Sequence, residues 1–252
     1  MNNPSSLFSK ILLWLLLSSS YIIQAQSVDF DSFKGKPFKV TGGIAAGATY
    51  TAGSDSGRLP FTYTFSGNMN LSLYSFAMPL SYTYTNAGAQ LNYQVPFNFN
   101  RLSLSPKYKW ITAHIGDAAM TFSPYTLAGH QFTGVGVELT PKSPLKFSAM
   151  YGRLLKAVAY DGNPNTIAAY KRMGYGTKLS YEKPKYKLGI IGFYAKDQLN
   201  SVSLLPTNPD IAPKENFVWS FSAESQLSKE LRLYGEYSNS TVTEDLRAER
   251  TG

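Results

Sequence analysis

The chain has 252 residues, no cysteine, and 24 lysines and arginines against 16 aspartates and glutamates, which gives a formal net charge of +8. Without cysteine, neither disulfides nor thiolate metal sites can hold the fold. The positive charges are spread along the chain and form no block, so the sequence does not indicate a nucleic-acid partner. The length suits one domain, particularly an all-β one.

The first 25 residues, MNNPSSLFSKILLWLLLSSSYIIQA, have the order of a secretory signal peptide. Lys10 precedes the apolar run ILLWLLL, and the small residue Ala25 stands at the cleavage position. The apolar run is too short to span a bilayer. We therefore expect a signal peptide at 1–25, an extended N-terminal segment at 26–36 and a β-barrel domain at 37–252.

An alternation of apolar and polar residues is strongest at 61–73, FTYTFSGNMNLSL. Most of its odd positions are apolar or aromatic, and its even positions are threonine, serine and asparagine. Because successive side chains on a strand point to opposite faces, the segment predicts a long strand with one apolar and one uncharged polar face. A second such run follows at 76–85, after a predicted tight turn near Tyr74 and Ser75.

Later segments repeat this alternation at 134–139, 146–151, 173–182 and 217–226. The connections between them alternate in length. Short turns are predicted at TPKSPL, EKPK and LSKE, and long polar loops at about 153–171 and 196–216. Tight turns at one end of the strands and long loops at the other are typical of outer-membrane β-barrels.

The polar face separates a membrane barrel from a soluble sandwich, whose outer face usually carries many charges. Here that face holds mainly threonine, serine, asparagine and glycine, which suits a polar barrel interior. We therefore predict an all-β fold, an antiparallel up-and-down transmembrane β-barrel of roughly 10–12 strands. A soluble secreted β-barrel or sandwich remains the alternative. Tyrosines near the predicted strand ends suit a headgroup belt: Tyr82, Tyr84, Tyr175, Tyr181, Tyr234 and Tyr237.

The phrases FNRLSLSPKYKWITAHIGDAAMTFSPYTLAGHQFTGVGVELTPKSPLKFSAMYGRLLKAV and AYKRMGYGTKLSYEK resemble the amino-terminal part of outer-membrane β-barrel proteins of Bacteroidota. The resemblance implies an outer-membrane location and a tyrosine-rich barrel without an assigned reaction. The chain departs from the family at its end, EDLRAERTG, where such barrels commonly finish on an aromatic residue. We therefore expect either a fragment of a larger barrel or an unconventional closing strand.

The two histidines are the first candidates for chemistry. KYKWITAHIG predicts a strand over 107–116 with His114 on its more polar face, whereas His130 is predicted in a loop before a strand that begins near Phe132. Zinc normally takes three or four ligands, and only Asp117 and Glu138 are near enough in sequence to complete a set. We therefore expect structural or lumen-facing histidines and no metal.

A hydrolase is the rival from another class. Ser123 lies between the histidines, but it precedes Pro124 and has no Gly-x-Ser-x-Gly elbow around it. A triad is defined by geometry rather than sequence order, so an outer-membrane hydrolase stays open as an alternative. The glycine-rich stretch TGGIAAGATYTAG matches no phosphate-binding motif, and no cofactor is expected.

The sequence thus predicts a channel or membrane-embedded scaffold of the outer membrane, with no catalytic, cofactor or metal residue. The residues predicted to face the lumen are His114, Glu138, Lys178, Glu182, Glu224 and Gln226. The expected partners are outer-membrane lipid and lipopolysaccharide, the barrel insertion machinery and an envelope complex.

Overall fold

A computed structural model of the chain describes residues 38–51, 59–90, 94–202 and 211–247. The predicted signal peptide and the segment 26–36 lie outside these residues and stay predictions. Within the described residues the chain forms twelve strands: β1 (Phe38–Tyr50), β2 (Phe61–Leu73), β3 (Phe76–Thr85), β4 (Arg101–Leu104), β5 (Lys107–Tyr108), β6 (Ile111–Thr121), β7 (Ala128–Leu139), β8 (Leu145–Leu155), β9 (Arg172–Lys183), β10 (Tyr186–Asp197), β11 (Glu215–Gln226) and β12 (Arg232–Thr243).

All twelve strands belong to one sheet in which neighbours along the path are antiparallel and follow the chain order. The short β5 continues β4 and pairs with β3 and β6. The sheet is therefore an up-and-down meander, and the predicted all-β, barrel-like antiparallel fold is confirmed. No helix in the described part of the chain has the length and apolar character needed to cross a membrane.

The connections differ at the two ends of the sheet. We call one end the short-turn end, where the connections are 74–75, 109–110, 140–144, 184–185 and 227–231. The other is the long-loop end, where the connections are 51–60, 86–100, 122–127, 156–171 and 198–214. The predicted alternation of short and long connections is confirmed, although both predicted long loops begin two or three residues later than expected, and the second also ends two residues earlier, because strand pairing extends further.

Strand register gives the sheet two chemically different faces. Phe65 pairs with Tyr84 on one face, and Asn68 pairs with Ser81 on the other. We call the first the outer face, because its apolar side chains are widely exposed, and the second the inner face. The two-residue period predicted for β2 and β3 is confirmed by this register.

The inner face also carries a buried apolar cluster, which the sequence analysis did not predict. Its members come from β6, β7, β8, β10 and the loop after β6, and they are at most 9% exposed: Ala118, Met120, Phe122, Leu127, Phe132, Met150, Ile191, Phe193 and Ala195. The expectation of a mainly polar interior therefore does not hold at the long-loop end. There, apolar side chains from several strands and from the loop after β6 pack against one another on the inner face.

Two strand boundaries also differ from the sequence predictions. The strand predicted over 107–116 is interrupted, because Lys109 adopts a left-handed backbone conformation with φ of +53° and turns the chain between β5 and β6. His130, predicted in a loop, lies within β7. A register shift between Ala119 and Thr121 lets β7 pair earlier than expected, so the strand begins at Ala128 rather than near Phe132.

The strands β1 and β12 are the two edges of the sheet in the described residues. The path from β1 to β12 contains eleven strands, because β5 lies off this path. Neighbouring strands on the path run in opposite directions, so the first and the eleventh run in the same direction, toward the long-loop end. A direct pair between β1 and β12 would therefore be parallel, unlike every other pair in the sheet.

Candidate functional site

The six residues predicted to face the lumen all lie on the inner face. Their register partners are inner-face residues of the neighbouring strands, as in the pairs of Lys178 with Ile191 and of Glu224 with Lys187. The remaining four are His114, Glu138, Glu182 and Gln226. Whether these side chains line a water-filled passage stays a prediction.

Charged residues of the inner face pair with one another near the short-turn end. Lys146 Nζ lies 2.7 Å from Glu182 Oε2. Glu224 Oε1 lies 3.3 Å from both Lys187 Nζ and Arg232 Nε. Since Glu224 is only 22% exposed, two cations offset the cost of removing its charge from water. This end of the inner face is thus polar and largely neutralised.

The connection 122–127, which we call the inward loop, folds over the inner face. It is closed by a 2.7 Å hydrogen bond from the Phe122 amide to the Leu127 carbonyl, and both side chains are 2% exposed. The Phe122 ring lies so close to β9 that a Cβ on Gly176 would meet it at 2.8 Å. Lys178 Nζ donates a 2.6 Å hydrogen bond to the Phe122 carbonyl, so this predicted lumen residue holds the loop.

The inward loop is also attached to β12, at the far edge of the sheet. Ser123 Oγ donates to Glu236 Oε1 at 2.6 Å, and Ser220 Oγ donates to the same oxygen at 2.5 Å. Tyr234 Oη and Ser238 Oγ also donate to this carboxylate. Because β6 and β12 are distant along the sheet, these bonds show that the sheet curls around the inward loop. The tyrosine predicted for a headgroup belt at 234 instead lies on the inner face.

The inner face near β1 to β3 has a different chemistry. Apart from Lys39, which pairs with Ser72 at the short-turn end, it is built mainly from small and uncharged polar side chains, among them Thr41, Gly43, Thr62, Thr64, Ser66, Asn68, Asn70, Ser81 and Thr83. The buried apolar cluster does not extend onto these strands in the described residues. The inner face is thus divided into an apolar, loop-filled part and a polar part.

A serine, a histidine and a carboxylate meet at the inner face near β6. Ser105 Oγ lies 3.3 Å from His114 Nδ1, and His114 Nε2 lies 3.6 Å from Glu138 Oε2. This order is that of a hydrolytic triad, so the hydrolase alternative has to be tested against the surrounding backbone. The distance of 3.6 Å between His114 Nε2 and Glu138 Oε2 is too long for a hydrogen bond.

The backbone around Ser105 does not provide a recognisable oxyanion hole. The Ser105 amide already donates to the Pro79 carbonyl at 2.9 Å, and Pro106 has no amide hydrogen. Serine hydrolases commonly stabilise the oxyanion with the amide of the residue after the nucleophile. Ser123 is no better placed, since its hydroxyl contacts Thr126 and Glu236 rather than a histidine. The arrangement favours a structural polar contact.

The two histidines do not form a common site. His130 is exposed and its Nδ1 lies 2.6 Å from the Gln131 carbonyl. His114 pairs with Gly136, six residues along β7 from His130, which corresponds to about 20 Å along a strand. Among the described residues no group of three or more histidine, aspartate or glutamate side chains is arranged to hold a metal ion.

The long loop 156–171 has a local structure of its own. Asp161 Oδ1 accepts hydrogen bonds from Thr166 Oγ1 at 2.6 Å and from the Asn163 amide at 2.9 Å. The Thr166 hydroxyl and then the Asn163 amide hold the pKa of the Asp161 carboxyl below its usual range. Because this pKa is depressed, the contact stabilises the loop at neutral pH and is lost as the pH falls through the carboxyl's own pKa.

The residues that hold the inward loop were missed by the sequence analysis, apart from Lys178. Glu236 and Ser123 are separated by 113 positions, and neither belongs to a local motif. The available signal was weak: Glu236 interrupts a segment of β12 otherwise rich in tyrosine, serine and glycine.

The chain matches no protein-family model. No curated protein matches it either. A mutant of the porin of Rh. blastica is a structurally similar chain, with 10% sequence identity over 81% of this chain and 96% of that chain, but the TM-score is 0.23. The assignment of the fold therefore depends on the strand pairing described above.

Proposed function

We propose that this protein is an exported outer-membrane β-barrel that acts as a narrow channel. The observation that supports this most is the outer face, where apolar side chains are exposed on every long strand, among them Ile44 at 73%, Ile190 at 61% and Leu233 at 61%. Soluble monomers rarely expose a continuous apolar surface of this extent. This argues against the alternative of a soluble secreted binding protein.

Strand length supports a bilayer as the solvent for this face. Apart from β4 and β5, the strands have 10 to 13 residues, and about 9–11 residues cross the hydrocarbon core when tilted. Aromatic pairs lie toward both ends of the outer face. The tilted rings of Tyr175 and Tyr194 lie toward the long-loop end with centroids 5.1 Å apart. The stacked rings of Tyr181 and Tyr186 lie at the short-turn end with centroids 6.1 Å apart. Such girdles occur at headgroup level.

In lipid every backbone amide and carbonyl needs a partner within the protein. The proposal therefore requires that the edges β1 and β12 be paired once the protein is in the membrane. We also propose that outer-membrane lipid, including lipopolysaccharide, and the insertion machinery are its partners, and that it derives from Bacteroidota. An envelope complex would depend on the surfaces of the long loops.

Two features of the inner face bear on what the barrel does. The polar surface of β1 to β3, whose one charged side chain in the described residues is Lys39, supports passage of small polar solutes along that side. The apolar cluster and the inward loop support a second candidate, a closed scaffold, because they fill the opposite side. Ion conductance separates these two functions.

A tryptophan in place of Gly43 is expected to lower single-channel conductance in planar bilayers. Gly43 lies on the inner face of β1, and no atom lies within 4 Å of a Cβ placed there, so a larger side chain begins there without a clash and projects toward the interior. The control is Ile44→Trp, which puts the same ring on the outer face. We expect this variant to conduct like the native protein. A native protein that inserts but forms no pores would favour the scaffold.

A further inference from the structure

Three polar side chains interrupt the apolar outer face toward the long-loop end. Asp117 of β6 pairs with Thr133 of β7, which pairs with Arg153 of β8. We call these three residues the outer polar row. Next to it in the same strands lie the exposed apolar residues Val135 and Tyr151. A charged side chain on a lipid-facing surface is costly, so the row needs either a partner or a position at the headgroups.

The carboxylate of the row is already satisfied. Asp117 Oδ1 accepts from Thr133 Oγ1 at 2.6 Å, and Asp117 Oδ2 accepts from the Leu102 amide at 3.0 Å. Arg153 does not pair with this carboxylate but donates through Nη2 to Thr133 Oγ1 at 3.2 Å. The Thr133 hydroxyl thus holds the Arg153 guanidinium on the outer surface. Most N–H groups of this guanidinium have no acceptor in the described part of the chain.

Two further cations surround the same place. A cavity of about 60 Å³ lies beside Asp117 and is lined by three cationic side chains, Arg101, Arg153 and Lys156. None of the three cations belongs to an ion pair within the described residues. Three cations and one carboxylate leave two uncompensated positive charges around the cavity.

We propose that this cavity binds the phosphate of an anionic lipid headgroup. The guanidinium fork of Arg153 matches phosphate oxygens, and Lys156 adds a second point charge. The outer polar row forms one side of the cavity, beside the exposed apolar residues Val135 and Tyr151, which suit acyl chains, so the ligand it fits is an amphiphile. Arg101, which pairs with the inner-face Thr83, and Phe132 of the inner apolar cluster also line the cavity. A larger open cavity of about 810 Å³ shares Phe97, Asn98 and Lys156, and it leaves room for the rest of a headgroup.

This inference rests on the proposed membrane location, but its test does not require a channel. The folded protein in a neutral detergent is titrated with short-chain phosphatidylglycerol, with short-chain phosphatidylcholine and with inorganic phosphate. We expect phosphatidylglycerol to bind more tightly than phosphatidylcholine. We expect inorganic phosphate to compete only weakly, because it lacks the apolar part.

The double variant Arg153→Gln, Lys156→Gln is expected to lose about tenfold or more of its affinity for phosphatidylglycerol, since it loses two charge-assisted contacts. The matched control, Lys142→Gln with Lys229→Gln, removes the same charge at the short-turn end and should bind like the native protein. Equal losses in both variants, or no loss in either, would overturn the site. Inorganic phosphate binding as tightly as the lipid would overturn the lipid as the ligand. Failure of the native protein to insert into vesicles, measured separately, would count against the proposed function alone.

Discussion

Arginine in place of Ile190 is expected to destabilise the folded protein in a lipid bilayer by about 2–4 kcal/mol, the cost of a cation at the midplane of a barrel's lipid face. Ile190 lies near the middle of β10, between Leu179 and Phe221 on the outer face, and is 61% exposed. Urea unfolding of the protein reconstituted in vesicles measures the change in the free energy of unfolding.

The control for this substitution lies on the same strand. Tyr186→Arg introduces the same charge on the outer face at the short-turn end, where we expect a cost of only about 0–1 kcal/mol because the guanidinium reaches the headgroups. On a water-exposed surface both substitutions would change stability by less than about 0.5 kcal/mol. Two small and equal effects would therefore contradict a lipid-facing outer surface.

Alanine in place of Glu236 is expected to release the inward loop and raise single-channel conductance. The substitution removes the acceptor for Ser123 and Ser220, which are 6% and 0% exposed, and so detaches the loop from β12. Hydrogen bonds to a charged group contribute about 1.5–3 kcal/mol, so we also expect a lower free energy of unfolding.

Glu230→Ala is the matched control for Glu236→Ala. Its carboxylate accepts from Ser228 within the turn 227–231 and does not contact the inner face. We expect this variant to keep native conductance and stability. If Glu236→Ala lowers stability while conductance stays native, the inward loop does not narrow the passage.

Local pattern was sufficient to predict most of the sheet. The alternation in β2 and β3 is regular over both strands, so their faces and the turn at Tyr74 and Ser75 follow directly from it. The turns at 140–144, 184–185 and 227–231 and the loops at 156–171 and 198–214 were also predicted to within a few residues, whereas the turn at 109–110 was not. These features depend on neighbours in sequence, and for that reason they are accessible without a structure.

The inner apolar cluster could not be predicted in the same way. β6, β7 and β8 contribute only one or two members each, for example Met150 on β8, so none of these three strands is apolar on both faces. β10 is the exception, because it contributes three members and its segment LGIIGFYA at 188–195 is apolar on both faces. The inward loop depends on contacts between β6 and β12, and Ser123 meets Glu236 only because the sheet curls. Long-range pairing of this kind leaves no local periodicity.

The most direct test of a membrane-embedded outer face is lipid quenching of Trp219 fluorescence. Trp219 lies on the outer face of β11, paired with Gly192 and Asn239, and is 43% exposed. The chain without residues 1–25, carrying Trp110→Phe, has this tryptophan alone. In vesicles of lipids brominated along the acyl chains, we predict strong quenching of Trp219 and little quenching by aqueous iodide. Strong iodide quenching with no effect of the brominated lipids would contradict the account.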